Sequence, residues 1–158
     1  MDNKICCFTG HRPEKLDMPE EEVKVLLKKA IITAINDGFS TFITGMARGI
    51  DMWAAEIVLG LKVQNPKISL VCAPPYEGFE KRWAISEQNL YHRILKASDS
   101  VKFVCEHYSR SCFQIRNCYM VDRSDRVIAV YSGKKGGTKN TVEYAKRKGV
   151  EVINVLEN

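Results

Sequence analysis

Thr41-Phe42-Ile43-Thr44-Gly45-Met46-Ala47-Arg48-Gly49-Ile50-Asp51 is the stretch whose reading decides the fold. A short apolar run ends in threonine, two glycines frame a turn, and a helical pattern begins at once. The helix is predicted from about Ile50 to Gln64, where Asn65-Pro66 stops it. A strand that feeds a helix through a glycine turn is the opening half of a βαβ unit.

The same unit recurs on both sides. Upstream, Lys4 to Thr9 is a short apolar run bounded by Gly10 and reads as a buried strand. Pro19 followed by Glu20, Glu21 and Glu22 starts a helix, because proline suits the first turn and acids suit its positive end. Val23, Leu26, Leu27, Ala30, Ile31 and Ala34 then repeat at helical spacing up to Gly38. Downstream, strands are predicted over Ile68 to Ala73, Ser100 to Val104, Arg126 to Tyr131 and Val150 to Val155. Helices are predicted from about Phe79 to Lys96, Phe113 to Arg123 and Thr138 to Lys148. The strands are continuous apolar runs, not alternating ones. Six strands alternating with five helices in this way predict an α/β fold: a Rossmann-like three-layer sandwich with a mostly parallel sheet.

The 158 residues suit one domain, 1–158, with no linker or repeat. The apolar share of 45% and charged share of 27% are those of a soluble globular chain. No apolar run approaches the roughly 20 residues of a membrane span. Met-Asp-Asn-Lys lacks a signal-peptide layout, so the expected location is cytoplasmic. The formal charge of +5 suits anionic ligands as well as solubility. The six cysteines form no CxxC pair and read as buried reduced thiols. No metal site and no cofactor motif is identified.

In an open α/β sheet, ligands bind outside the carboxyl ends of the strands. Three loops leave such ends. In the first, Thr9-Gly10-His11-Arg12-Pro13, Gly10 admits close backbone approach, His11 offers a ring nitrogen and Arg12 a planar fork for phosphate. The second runs from Gly45 through Met46, Ala47, Arg48 and Gly49 to Asp51. It opens a helix, whose free N–H groups suit a phosphate. Asp51 reads as a cap or as a partner for Arg48, and Trp53 as core or as a base platform. In the third, Ser132 to Thr138, Gly136 and Gly137 can form an anion nest, with Thr138 as cap or phosphate ligand. The GxxxxGK[ST] and GxGxxG orders are both absent. Arg116, on the helix before the fifth strand, could clamp a ribose phosphate or make a surface ion pair. Gln114 and Asn117 beside it could read a base or sugar.

Taken in order, these residues resemble the SLOG superfamily. It joins the DNA-processing protein DprA (Smf), the LOG cytokinin-activating enzymes and the YpsA-like proteins, or domain of unknown function 1273. The carriers are Gly10-His11-Arg12-Pro13; Thr44 through Asp51 with Trp53-Ala54-Ala55-Glu56; Gln114, Arg116-Asn117 and Met120; Ser124-Asp125; and Gly136-Gly137-Thr138. The match is nearest to the YpsA-like branch and spans almost the whole chain. It implies a Rossmann-like fold and a nucleotide-derived small molecule as partner, with a homodimer as the common assembly of the superfamily.

Two branches imply rival functions. The Gly45 to Asp51 stretch is similar to DprA's GLARGID signature, which implies single-stranded DNA as a partner. The sequence, however, shows no pattern of aromatics along a basic groove. LOG enzymes hydrolyse a nucleotide's N-glycosidic bond. Under that phosphoribohydrolase reading, Glu56 or Glu143 supplies the carboxylate and Arg116 the phosphate contact. The third loop departs from the LOG pattern PGGxGTxxE. It has no proline before the glycines, no residue between Gly137 and Thr138, and Glu143 stands two places late. That departure favours binding or sensing over cleavage.

Overall fold

The computed structural model describes residues 3–157. Six strands are present: β1 (Lys4–Gly10), β2 (Phe39–Thr44), β3 (Ser69–Cys72), β4 (Ser100–Val101), β5 (Arg126–Val130) and β6 (Glu151–Asn154). Five helices connect them: α1 (Glu20–Asn36), α2 (Ile50–Lys62), α3 (Ile85–Ala97), α4 (Cys112–Asp122) and α5 (Gly137–Arg147). One 3-10 turn, Pro13–Lys15, lies between β1 and α1. The strands form one sheet in the order β4-β3-β2-β1-β5-β6, and every pair is parallel. The expected mostly parallel Rossmann-like sandwich is therefore wholly parallel. Among the described residues no helix is long and apolar enough to cross a membrane.

Strand periodicity sorts the core into two layers. Cys6 and Phe8 of β1 join Val23, Leu27 and Ile31 of α1, Val58 of α2 and Ile94 of α3 on one face. Cys7, one residue out of phase, joins Met120 and Val121 of α4 and Ala145 of α5 on the other. Phe8 stacks on Phe42 with ring centroids 6.2 Å apart. The cysteines are free, and burial pushes the Cys7 thiol up to about 12 and the Cys72 thiol to about 11. They serve as small core hydrophobes.

Two elements differ from the sequence-based expectation. The helix expected from Phe79 begins at Ile85. Gly78 turns the chain at φ 90, and Phe79 to Trp83 form tight turns, with Lys81 N–H bonded to Gly78 O and Trp83 N–H to Glu80 O. Gln88 closes them by donating from its side chain to Trp83 O at 2.7 Å. The strand expected over Ser100 to Val104 is only two residues long. The chain runs on beside β3, with Val104 N–H on Pro74 O and Cys105 N–H on Pro75 O. Prolines cannot return those bonds, so no ladder forms there.

β1 and α2 meet closely at the carboxyl edge. A Cβ on Gly10 would lie 2.3 Å from Ile50 Cγ1 and 2.7 Å from Ile50 Cβ. The space that sequence reading reserved for a ligand at Gly10 is filled by the first residue of α2. Gly10→Ala is expected to destabilise by about 1–3 kcal/mol through overpacking. In thermal unfolding, the Gly10→Ala/Ile50→Ala double variant should lose less than the sum of the single losses.

Candidate functional site

β1 is where the sheet changes direction. Strands β2, β3 and β4 build outward on one side of it, and α4 then brings the chain back to place β5 on the other. The two strands diverge above a bond from His11 N–H to Val130 O at 3.2 Å. A crevice at such a reversal is where open α/β sheets take ligands. Here it is a cavity of about 630 Å³. That is within the usual range for small-molecule sites.

Most of the residues proposed from sequence line it: Gly10, His11, Arg12, Ala47, Arg48, Gly49, Asp51, Arg116, Asn117, Gly136, Gly137 and Thr138. Gly45 and Met46 do not. Met46 is fully buried at φ 64, a left-handed conformation rare for a residue with a side chain. The loop is held there from within. Thr44 Oγ1 donates to Asp51 O at 2.8 Å and accepts from Met46 N–H at 3.3 Å, while the Asp51 carboxylate accepts from Ala47 N–H at 3.2 Å. Asp51 thus fixes the turn that aims the amino end of α2.

Arg116 reaches this loop from the opposite helical layer. Its Nη1 donates to Gly45 O at 2.5 Å and its Nε to Asn117 Oδ1 at 2.9 Å. A Cβ on Gly45 would stand 2.8 Å from that Nη1, so a side chain there would force the buried guanidinium to move. Burial raises the Asp51 carboxyl above its ordinary value; the Arg116 charge and the Ala47 N–H oppose that rise.

Two helices that start on the cavity behind a glycine, α2 behind Gly49 and α5 behind Gly136, lack a side-chain cap, as do α1, α3 and α4. Their first N–H groups and the positive ends of their dipoles are open to an anion. His11 lines the same cavity and is only 4% exposed. Its ring packs against Tyr131 at 5.4 Å between centroids, and its Nε2 is buried with no hydrogen-bond partner. Burial lowers its pKa, and the charges of Lys15 and Lys134 lower it further.

Part of the lining is aromatic: Phe79, Trp83 and Phe113. Phe79 meets Trp83 edge-on at 5.1 Å and Phe113 at 5.8 Å. Arg48 lies 5.7 Å over Trp83 and pairs with Glu87 at 3.7 Å. Sequence reading missed this aromatic wall because it assigned Phe79 and Trp83 to a helix. The available signal was Tyr76, Phe79 and Trp83 following a strand that closes on Pro74-Pro75, a fourth strand-end loop. Lys15, on the 3-10 turn, was missed as well.

Glu56 and Glu143 are both exposed and neither lines the cavity. Glu56 acts instead on Lys24 of α1. Gln114 bonds Cys118 Sγ away from the cavity. The carboxylates that do line it are Glu14, Glu20, Asp51 and Glu87. Of these, Glu20 is paired with Lys24 at 2.7 Å.

The family model described as the YspA SLOG family matches residues 6–154. A UPF0398 protein of Bacillus cereus (strain ATCC 14579) is 32% identical over 155 residues, covering 92% of this chain and 84% of the relative. DNA processing protein A (DprA) of Streptococcus pneumoniae has a similar fold, with a TM-score of 0.66 at 19% identity over 95% of this chain. The match covers 49% of that protein, so this chain spans about half its length. DprA of Helicobacter pylori, whose structure describes a single-stranded DNA binding mode, gives 0.62 at 17% identity over 94% of this chain and 63% of that one.

Arg116→Met removes two charged hydrogen bonds and should lower stability by at least about 1.5–3 kcal/mol, read from urea unfolding. Asp51 supplies a pH test. Its folded-state pKa is raised, so the stability it contributes is full below the ordinary value of 3.8 and falls as pH rises through the folded-state value. Asp51→Asn keeps an acceptor for Ala47 N–H and should flatten that part of the stability–pH curve.

Proposed function

The chain belongs to the YpsA SLOG family, and from the cavity at its strand reversal we propose that it binds a nucleotide-derived small molecule. The phosphate sits at the amino ends of α5 and α2, and the base lies against Phe79, Trp83 and Phe113. One observation carries this reading. Two uncapped helix starts converge on one cavity beside a buried histidine nitrogen that lacks a partner. Helix starts with free N–H groups bind phosphate, and aromatic faces stack bases. Arg12, Arg48 and Lys15 add positive charge around the opening.

The proposed role is binding or sensing, not cleavage. The two glutamates that a LOG-like N-glycosidase would use, Glu56 and Glu143, stand off the cavity. Single-stranded DNA is the second reading, and the aromatic wall beside Arg48 is the observation in its favour. It predicts affinity that falls steeply with salt, because each phosphate contact releases counterions.

Thermal unfolding with millimolar 5′-AMP, 5′-GMP, ADP-ribose or a dinucleotide tests the proposal. A ligand at 100 times its Kd adds about 2.7 kcal/mol, a rise of about 5–10 °C in Tm for a chain of this size. Stabilisation by at least one of them is expected, and Arg12→Ala should weaken it. No shift with any nucleotide, beside tight salt-sensitive binding of an oligonucleotide, would replace this reading with the second.

A further inference from the structure

We propose that the His11 end of the cavity selects a terminal phosphate monoester, with His11 Nε2 as the group that makes the selection. The proposal rests on the nucleotide reading above and narrows its ligand class.

The geometry comes first. His11 is 4% exposed, and its Nε2 is buried without a partner. A buried polar atom left unbonded carries a desolvation cost that a ligand oxygen would remove. His11 lines the cavity together with Gly136, Gly137 and Thr138 at the uncapped start of α5, an eleven-residue helix. Ligand oxygens held by those N–H groups would lie beside the ring.

The charges around the ring supply the selectivity. Lys15 faces it from the 3-10 turn and Lys134 from the loop between β5 and α5, and both act to keep the proton off. Tyr131, after β5, packs on the ring. Arg12 and Glu14 line the same end. Lys134 is itself held by Lys15 O at 2.8 Å and by Asp17 at 3.9 Å. The α5 residues at this end, Gly136, Gly137 and Thr138, carry no titratable group. Without ligand the imidazole is therefore neutral at neutral pH.

A terminal phosphate monoester, with a second ionisation near about 6, carries almost two negative charges there. Set against Nε2, that dianion offsets the lysine charges and draws one proton from solvent onto the ring. The imidazolium then donates Nε2–H to a phosphate oxygen as a charge-assisted bond. A phosphodiester carries a single charge and holds the proton less well. Binding of a monoester thus takes up a proton, and its affinity rises as pH falls through the neutral range.

Isothermal titration of the full chain with 5′-AMP, 3′,5′-cyclic AMP and adenosine tests this. It is run at neutral pH in two phosphate-free buffers of different protonation enthalpy. The expected result is about tenfold tighter binding of 5′-AMP than of the cyclic ester, with net proton uptake seen only for 5′-AMP. His11→Gln keeps a side-chain N–H donor but cannot take up a proton, and should lose both the proton uptake and the preference for 5′-AMP over the cyclic ester. The proton count on the unaltered chain decides the matter even where the variant fails to fold. Equal affinity for both esters, or 5′-AMP binding without proton uptake, overturns the selection and leaves nucleotide binding standing. No binding by any of the three overturns both.

Discussion

The guanidinium of Arg116 holds the carboxyl edge of this sheet together. It starts in the layer formed by α4 and α5 and ends on the carbonyl of Gly45, in the loop that launches α2 in the opposite layer. A three-layer sandwich otherwise joins its two helical layers only through the sheet between them. Here a charged side chain crosses the open edge and is buried in doing so. A buried arginine is tolerated only with partners. Gly45 O and Asn117 Oδ1 accept its bonds, and Asp51 supplies opposite charge nearby. Asp51 in turn holds Ala47 N–H, which sets the direction in which α2 begins. The Cβ-free surface of Gly45 fits that crossing.

The result is a cavity whose floor is hydrogen-bonded from within and whose ligand-facing groups are left open. Two helix starts point into it without caps, and an imidazole nitrogen is buried without a bond. Each carries a small cost, and each is of a kind that an anion removes. The other helices also start without side-chain caps, so it is the buried, unbonded imidazole that sets this cavity apart. The aromatic wall of the cavity is suited to a flat apolar group, so the cavity complements both halves of a nucleotide. Arg48 lies over Trp83 in that wall and is tied to Glu87.

Much of this was legible in the sequence. Continuous apolar strands alternating with helical periods specified a parallel sheet, and glycine turns after β1, β2 and β5 marked the edge where the cavity lies. What stayed hidden depended on tertiary context. Gly10 and Gly45 read as places for a ligand, yet both make room for other side chains, Ile50 and Arg116. No local pattern distinguishes the two uses. Phe79 and Trp83 fall at helical spacing from Leu90 and Ile94, so periodicity assigned them to a helix. The turn set by Gly78 swings them onto the cavity instead. The short β4 was decided by Pro74 and Pro75, which lie on a different segment. Glu56 and Glu143 were proposed on the strength of a motif, and only the sheet's geometry reveals that both look outward.

The central claim is that a nucleotide phosphate meets the amino ends of α5 and α2. Backbone amide spectra recorded while 5′-AMP is added test it most directly, because those N–H groups are the proposed ligands. The account predicts the largest shifts at Gly137, Thr138, Ile50 and Asp51, with smaller ones near Trp83 and Phe113. Silence at those amides, with shifts confined to the outer face of α4 around Ile115 and Tyr119 or absent altogether, would contradict it.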